Sequence, residues 1–281
     1  IRKYHIGYIK FDMNHFLGYD DSGAELRGFA TGWHQVMRRI QQDFPDVILE
    51  NCSSGAMRTD LQTLRFFDTH FVSDNAEPWE VLRISQGMLL RFPPGRILRW
   101  LVACGTGDFR PEQRNSREIM VTPRAATWYD FETFDLDFGL FANFIGVAGF
   151  SGDLAAMRPD TLEQMAAAVA RYKKHRMAIF QSEAYLLTPV EPLTLAEGWI
   201  VIQMLERSSG EVNLFVFHKS NDGDCRKVFR LQGLDPAVRY QLPDQTEKTG
   251  AELMRDGLEV AFPYDQHGSF RGQWLPLMPI V

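Results

Sequence analysis

Up to about residue 196, short apolar runs alternate with longer stretches in which apolar residues return every three or four positions. The short runs, 6–11, 47–51, 70–73, 97–104 and 144–150, have strand length, and several end in Asp, Asn, Cys or Gly. Between them lie 25–43, 58–67, 78–91 and roughly 117–141, read as helix-like, of which 25–43 and 78–91 show helical spacing. The clearest helix is 159–180, with Leu162, Met165, Ala166, Val169 and Tyr172 along one stripe. Pro78 suits a first helical turn, with Asp74 and Asn75 ahead of it as capping residues. Repeated strand–helix units call for a parallel sheet with helices packed outside it. A closed (β/α)8 barrel needs eight strands. The five visible ones are therefore either part of such a barrel, with three more upstream of residue 1, or an open sheet.

Beyond Pro189 the pattern changes to short alternating segments at 200–205, 212–218, 228–231, 240–242 and 258–262. Turn residues such as Ser208-Ser209-Gly210, Asn221-Asp222-Gly223 and Asp256-Gly257 separate them. This predicts an antiparallel β-sandwich of about eight strands. With the boundary at the Thr188-Pro189 linker, the domains are 1–188 and 189–281.

Composition narrows the function classes. A chain of 281 residues that is 45% hydrophobic buries a sizeable core. No uncharged apolar stretch reaches the about 18 residues of a membrane span, so no membrane partner is expected. A net charge of −6 without a basic run argues against nucleic acid and leaves neutral polar substrates open. Cys52, Cys104 and Cys225 are too widely spaced for a disulfide framework or a zinc motif, which favours a reducing, cytoplasmic compartment. The chain opens without an initiator Met or a signal-peptide pattern and runs straight into a strand, so an upstream part is expected.

In parallel barrels the functional groups sit where strands end. Here these are Lys10, Asp12 and Asn14, then Glu50, Asn51 and Cys52, then Asp74, and Asp153 past the last strand. Lys10 and Asp12 are two apart and share a face of an extended strand, whereas Phe11 points the other way. Carboxylates on nearby strands, with no His/Cys/Glu metal cluster around them, fit acid/base or nucleophilic chemistry on a sugar that needs neither metal nor cofactor. A single strand-end Asp more often caps a helix or a loop, so spacing alone does not choose the pair. Other groups have plainer readings. Asp60 starts the helix that follows it, Arg58 is a buried structural cation, and His70 is a packed strand histidine, while His15 and His34 lack metal-ligand spacing. Cys52 has no His/Asn pattern to make it a nucleophile, and Cys104-Gly105-Thr106-Gly107-Asp108 lacks phosphate-loop spacing. Trp100 and Trp128 pack in the core or stack on a sugar, and the run from Arg171 to Arg176 is a solvated face near a helix C-terminus.

Tyr8-Ile9-Lys10-Phe11-Asp12-Met13-Asn14 resembles the Lys-x-Asp-Met-Asn strand of the retaining α-galactosidases of glycoside hydrolase family 36. The stretch from Glu50 to Arg58 resembles that family's Cys-x-x-Gly segment, and Ser73-Asp74-Asn75 falls where the family has Ser-Asp-Asp. Gly149-Phe150-Ser151-Gly152-Asp153-Leu154 and the helix after it resemble the end of the barrel. Gln232-Gly233-Leu234-Asp235-Pro236 and the stretch from Thr249 to Met254 resemble the C-terminal sandwich. The order agrees over nearly the whole chain.

The resemblance implies strands four to eight of a (β/α)8 barrel, an α/β fold, followed by an antiparallel sandwich. It implies Asp12 as nucleophile and Asp74 as acid/base, with Lys10, Asn14, Cys52 and Gly55 binding the sugar. Such a pair works by double displacement, one carboxyl ionised for attack and the other protonated for donation, about 5–5.5 Å apart. An oligosaccharide or α-galactoside is the implied substrate. An α-N-acetylgalactosaminidase, a transglycosylase or a noncatalytic carbohydrate-binding remnant are the alternatives. Gly55-Ala56-Met57 replaces the family's glycine run, and Asn75 replaces a second Asp. The aspartates and tryptophan that hold the 4- and 6-hydroxyls in the family precede residue 1, so this polypeptide alone is expected to be inactive. Its open sheet edge calls for cover by the missing N-terminal half of the barrel or by a homo-oligomer, without which aggregation is expected.

Overall fold

The structure is a computed structural model and describes residues 1–14, 20–103, 115–122, 131–190, 192, 197–220, 225–262 and 270–280. The first elements are β1 (Tyr8–Phe11), α1 (Ala24–Asp43), β2 (Ile48–Asn51), β3 (Thr69–Phe71), α2 (Pro78–Leu89) and β4 (Ile97–Val102). They continue through β5 (Glu118–Val121), β6 (Glu132–Asp135), α3 (Leu136–Asn143), β7 (Val147–Ser151) and α4 (Pro159–Gln181). Strands β1, β2, β3, β4 and β7 form one parallel sheet in that order. They are the five strands expected from the apolar runs.

Alternation along the strands separates two faces. Outward, Ile9, Phe11 and Leu49 pack against Trp33, Met37 and Ile40 of α1 and against Phe66 and Phe67. Inward, Cys52, Phe71, Leu98, Trp100 and Val147 form a layer of the barrel interior. Arg99, outward on β4, is buried and donates to Ser85 Oγ of α2 at 2.6 Å.

Two helix-like runs are built differently. Residues 58–67 form turns and a single 3-10 turn at Thr63–Arg65, started by Asp60, whose Oδ1 accepts the N–H groups of Gln62 and Thr63. Within 117–141, β5 and β6 pair antiparallel and α3 follows β6. Alternating Ile119, Val121 and Phe134 enter the core there, so burial on one side of a ribbon overrides the helical reading. Helix α2 does start with Pro78, but its capping residue is Glu77, which accepts the Glu80 N–H, and not Asp74 or Asn75.

The second part comprises β8 (Glu183–Leu186), β9 (Gly198–Leu205), β10 (Val212–Lys219), β11 (Arg226–Phe229), β12 (Arg239–Gln241) and β13 (Glu247–Thr249). It continues through α5 (Gly250–Arg255), β14 (Leu258–Ala261) and β15 (Phe270–Ile280). An antiparallel sheet in the order β13-β12-β15-β10-β9-β8 lies over the β11–β14 ribbon, and its first strand precedes the Thr188-Pro189 linker. Val201, Leu205, Leu214 and Val216 face the ribbon, whereas Ile200, Ile202, Met204, Phe215 and Phe217 face the barrel's helices. Both faces are buried, so β9 and β10 read as nearly continuous apolar runs.

The junction corrects the reading of residues 171–176 as a solvated face for Arg171, Tyr172 and His175, while Lys173, Lys174 and Arg176 are exposed as expected. Arg171 Nη2 donates to Trp274 O at 2.7 Å, and its guanidinium lies 4.3 Å from the Trp274 ring centre. His175 Nδ1 lies 2.8 Å from Glu211 Oε1, and Trp274 Nε1 donates to Asn213 Oδ1 at 2.9 Å. Tyr172 stacks on Phe144 at 4.6 Å, donates to Gly146 O at 2.5 Å and accepts from the Ala148 N–H. Because α4 continues to Gln181, this run crosses the sheet before the helix ends. The strand expected at 97–104 is β4, Ile97–Val102, and Cys104-Gly105-Thr106-Gly107-Asp108 lies outside the described residues, as do His15 and Trp128. Among the described residues, no helix is long and apolar enough to cross a membrane.

Two outcomes follow for the full-length protein. Tyr172→Phe strips two buried backbone groups of their partner, so stability falls by about 1–3 kcal/mol, read as a lower urea midpoint at unchanged slope. Glu77 is pushed from 4.5 up to about 7, chiefly by burial and further by Glu132 and Glu80, against the opposing Glu80 N–H and Lys219. Between about pH 4.5 and 7 the folded state keeps a proton that the unfolded state has lost, so Glu77 costs stability progressively as pH rises through that window. The stability difference between wild type and Glu77→Gln therefore shifts against wild type from pH 4.5 to 7, measured by urea titrations across the range.

Candidate active site

Lys10 and Asp12 do share the inward face of β1, and Phe11 points outward, its ring 5.5 Å from Trp33 and 6.0 Å from Phe67. Lys10 Nζ lies 3.9 Å from the Phe71 ring centre and 4.4 Å from that of Trp100, inside the barrel. It also lies 3.3 Å from Glu50 Oε1, its neighbour in register on β2. Glu50 Oε2 accepts the Tyr8 hydroxyl. The Asp12 carboxylate, exposed at the strand's end, interacts with the Cys52 thiol at the end of β2.

Burial pushes the Cys52 thiol up to about 11; Asp12 adds to this, and the Gly55 N–H and the Lys10 charge oppose it. At neutral pH it is a thiol, a poor nucleophile and a compact wall beside Asp12. Cys52 and Cys225 are both free and buried.

The loop after β2 joins the strand ends. Asn14 Oδ1 accepts from the Ser54 N–H at 2.8 Å and from Ser54 Oγ at 3.1 Å, and Ser53 Oγ donates to Met13 O. Arg58 Nη2 donates to Phe11 O at 3.0 Å and to Cys52 O, with its guanidinium 4.9 Å from the Trp33 ring centre. Arg58 is thus the structural cation expected. Gly55 adopts φ +80°, and a Cβ there would stand 2.7 Å from Ser73 Cα and 3.1 Å from Asp74 N. Only glycine permits this approach, which lays the loop against the backbone that carries Asp74.

Past β3, Asp74 is exposed at the same mouth. Asn75 accepts the Glu77 N–H at 2.9 Å and donates to Glu80, so the side chain next to Asp74 is committed to the start of α2. His70, outward on β3, is fully buried beside Asn51 and pushed down to about 4, mainly by burial and then by Arg96, so it is neutral and packed. Across the barrel, Gly152 at φ +105° sits against Ala103 O, leading into Asp153.

The candidate residues therefore meet at one mouth: Asp12 with Lys10 and Cys52, Asn14 with the loop, and Gly55 with Asp74. Two residues escaped sequence reasoning as partners, Tyr8 and Glu50, although register places Glu50 beside Lys10 and Tyr8 shares their face. Trp100 lines the interior under Lys10, and Gly149 leaves room for its ring, since a Cβ would come within 2.3 Å. Among the described residues, no group of three His, Cys, Asp or Glu side chains is placed to hold a metal. A carboxylate beside a cation and a thiol, with a second carboxylate two strands away, suits nucleophile and acid/base chemistry on a neutral polar substrate.

A family model described as Melibiase matches residues 1–182, and one described as Glycosyl hydrolase family 36 C-terminal domain matches residues 199–274. Similar proteins include a probable alpha-galactosidase C from Aspergillus terreus, 26% identical over 92% of this chain and 31% of that protein. The alpha-galactosidase Mel36A of Lactobacillus acidophilus is 25% identical over 95% of this chain and 34% of its own length. The chain spans about a third of the length of these relatives. Among solved structures, the alpha-galactosidase from Lactobacillus brevis superposes with a TM-score of 0.81 at 22% identity, covering 98% of this chain and 36% of that one. A form of the alpha-galactosidase AgaA from Geobacillus stearothermophilus in complex with stachyose gives a TM-score of 0.77 at 22% identity, covering 98% of this chain and 36% of that one. The fold is thus the expected one, strands four to eight of a (β/α)8 barrel followed by an antiparallel sandwich. The match over residues 1–182 covers more than half of the sequence, and the chain belongs to the Melibiase family and carries a glycosyl hydrolase family 36 C-terminal domain.

Proposed function

We propose that this chain supplies the catalytic carboxylates of a retaining α-galactosidase. The observation that carries the reading is the inward constellation of Asp12, Lys10 and Cys52, joined through Gly55 to the backbone of Asp74. The alpha-galactosidase relatives and the solved stachyose and raffinose complexes support an α-galactoside as substrate. Asp12 attacks the anomeric carbon and forms a covalent glycosyl-enzyme. Asp74 protonates the departing oxygen and then takes a proton from the water that releases the sugar. Lys10 donates to ring hydroxyls, Asn14 holds the loop edge and contacts the sugar, and Cys52 and Gly55 keep the wall small enough to admit the ring. The upstream part of the barrel completes the pocket.

Kinetics of the full-length protein test these roles. Wild type releases galactose of retained configuration from aryl α-galactosides, and absence of turnover on aryl α-galactoside, α-GalNAc and α-glucoside alike sinks the reading. Asp12→Gly loses at least about 10³-fold in kcat and regains turnover with azide, giving a galactosyl azide of inverted configuration. Unchanged kcat in Asp12→Ala removes it as nucleophile. Asp74→Ala loses far more on poor leaving groups than on activated aryl groups, because only the former need the proton. Equal losses on both count against Asp74 as the acid.

A further inference from the structure

Glu50 is a charged group just inside this mouth to which the proposed chemistry gives no task. It lies two residues deeper in β2 than Cys52, facing inward, and only 1% of it is exposed. A substrate that enters at the mouth meets Asp12 and Cys52 before it could reach this carboxylate. A carboxylate buried to this extent needs a counter-charge and hydrogen bonds to be tolerated. Glu50 has one of each: Oε2 takes the Tyr8 hydroxyl, and Oε1 faces Lys10 Nζ at 3.3 Å.

The Lys10 contact has a particular character. No hydrogen-bond donor is aligned on Glu50 Oε1 among the described residues, so the ammonium is held as a charge rather than through an N–H bond. Its other two neighbours, the faces of Phe71 at 3.9 Å and Trp100 at 4.4 Å, also attract charge without being strong acceptors. An ammonium carries three donors and no acceptor. Fixed in this way from three sides, it is placed accurately while its donors stay available to a ligand. Lysine is otherwise a flexible four-carbon stem whose head would have to be ordered at each binding event.

We infer that Glu50 is a positioning residue: with the Phe71 and Trp100 rings, it fixes the Lys10 ammonium so that its N–H donors meet the substrate's hydroxyls, and it acts on turnover only through Lys10. This rests on the α-galactosidase reading above. Tyr8 serves the same arrangement one step further out by fixing the carboxylate that fixes the lysine.

A double-mutant cycle in the full-length protein tests it, with kcat and KM measured on an aryl α-galactoside for wild type, Glu50→Gln, Lys10→Met and the double variant. Glu50→Gln is expected to lower kcat/KM by about 10²-fold with a raised KM, as displacement of a substrate-holding group does. In the Lys10→Met background the same change is expected to cost less than about twofold, because its route of action has been removed. Kinetics of Glu50→Gln within about threefold of wild type overturn the inference, as does an equal loss in both backgrounds, which marks a role independent of Lys10. Should Glu50→Gln fail to fold, Glu50→Asp keeps the charge but withdraws it by one methylene. The cycle run with that variant is expected to show the same non-additivity at smaller amplitude, and additive losses or wild-type kinetics overturn it. Wild type without turnover on any α-galactoside overturns the underlying reading, and the inference with it, whereas an active wild type with additive variants overturns the inference alone.

Discussion

The mouth of this barrel depends on a contact that contains no side chain. At Gly55 the loop after β2 comes so close to Ser73 and Asp74 that a single methyl group would overlap Ser73 Cα. Backbone lies on backbone, and the distance between the two strand ends is set by van der Waals contact of main-chain atoms instead of by side-chain packing that a substitution could readjust. On its other side the same loop is tied to β1 by Arg58 on the Phe11 carbonyl and by Asn14 on Ser54. The ends of β1, β2 and β3 are thereby one unit. Asp12 and Asp74 belong to strands that do not touch, yet each is fixed against the loop between them.

Beneath that loop the barrel interior tolerates charge because each charge is answered. Glu50 is answered by Lys10 and Tyr8, and Lys10 in turn by two aromatic faces. On the outward face the same strands obey the opposite rule, with Phe11 and Leu49 sealed against α1 and His70 buried in its neutral form. One strand residue separates a hydrocarbon environment from a polar one. A shift of register by a single position would exchange them, so the sharp alternation around Lys10, Phe11 and Asp12 also specifies how the sheet pairs.

Much of this was legible in the sequence. The five parallel strands announced themselves as short apolar runs, α1, α2 and α4 by their periodicity, and the two-residue spacing of Lys10 and Asp12 placed them on one face. What could not be read depended on partners distant along the chain. The β5–β6 pair resembled a helix because its apolar residues take their meaning from the core they enter. Arg171 and His175 looked solvated, as Lys173, Lys174 and Arg176 are, because nothing nearby in sequence reveals Trp274 or Glu211. Glu50 stood out as a strand-end acid, but its pairing with Lys10 needs the register, which local pattern does not supply. Asn75 and Glu77 compete for the same capping task, and only the geometry of the turn decides between them.

The doubly buried β9 and β10 bear on how such proteins are assembled over evolution. A sheet with one wet face can be appended to many barrels, since its only demand is a tether. Here Ile200, Phe215 and Trp274 turn toward α3 and α4, and Arg171 and His175 turn toward the sheet. The C-terminal sheet is part of the barrel's outer wall, so recombination that exchanged it would have to carry the facing side of α4 along with it.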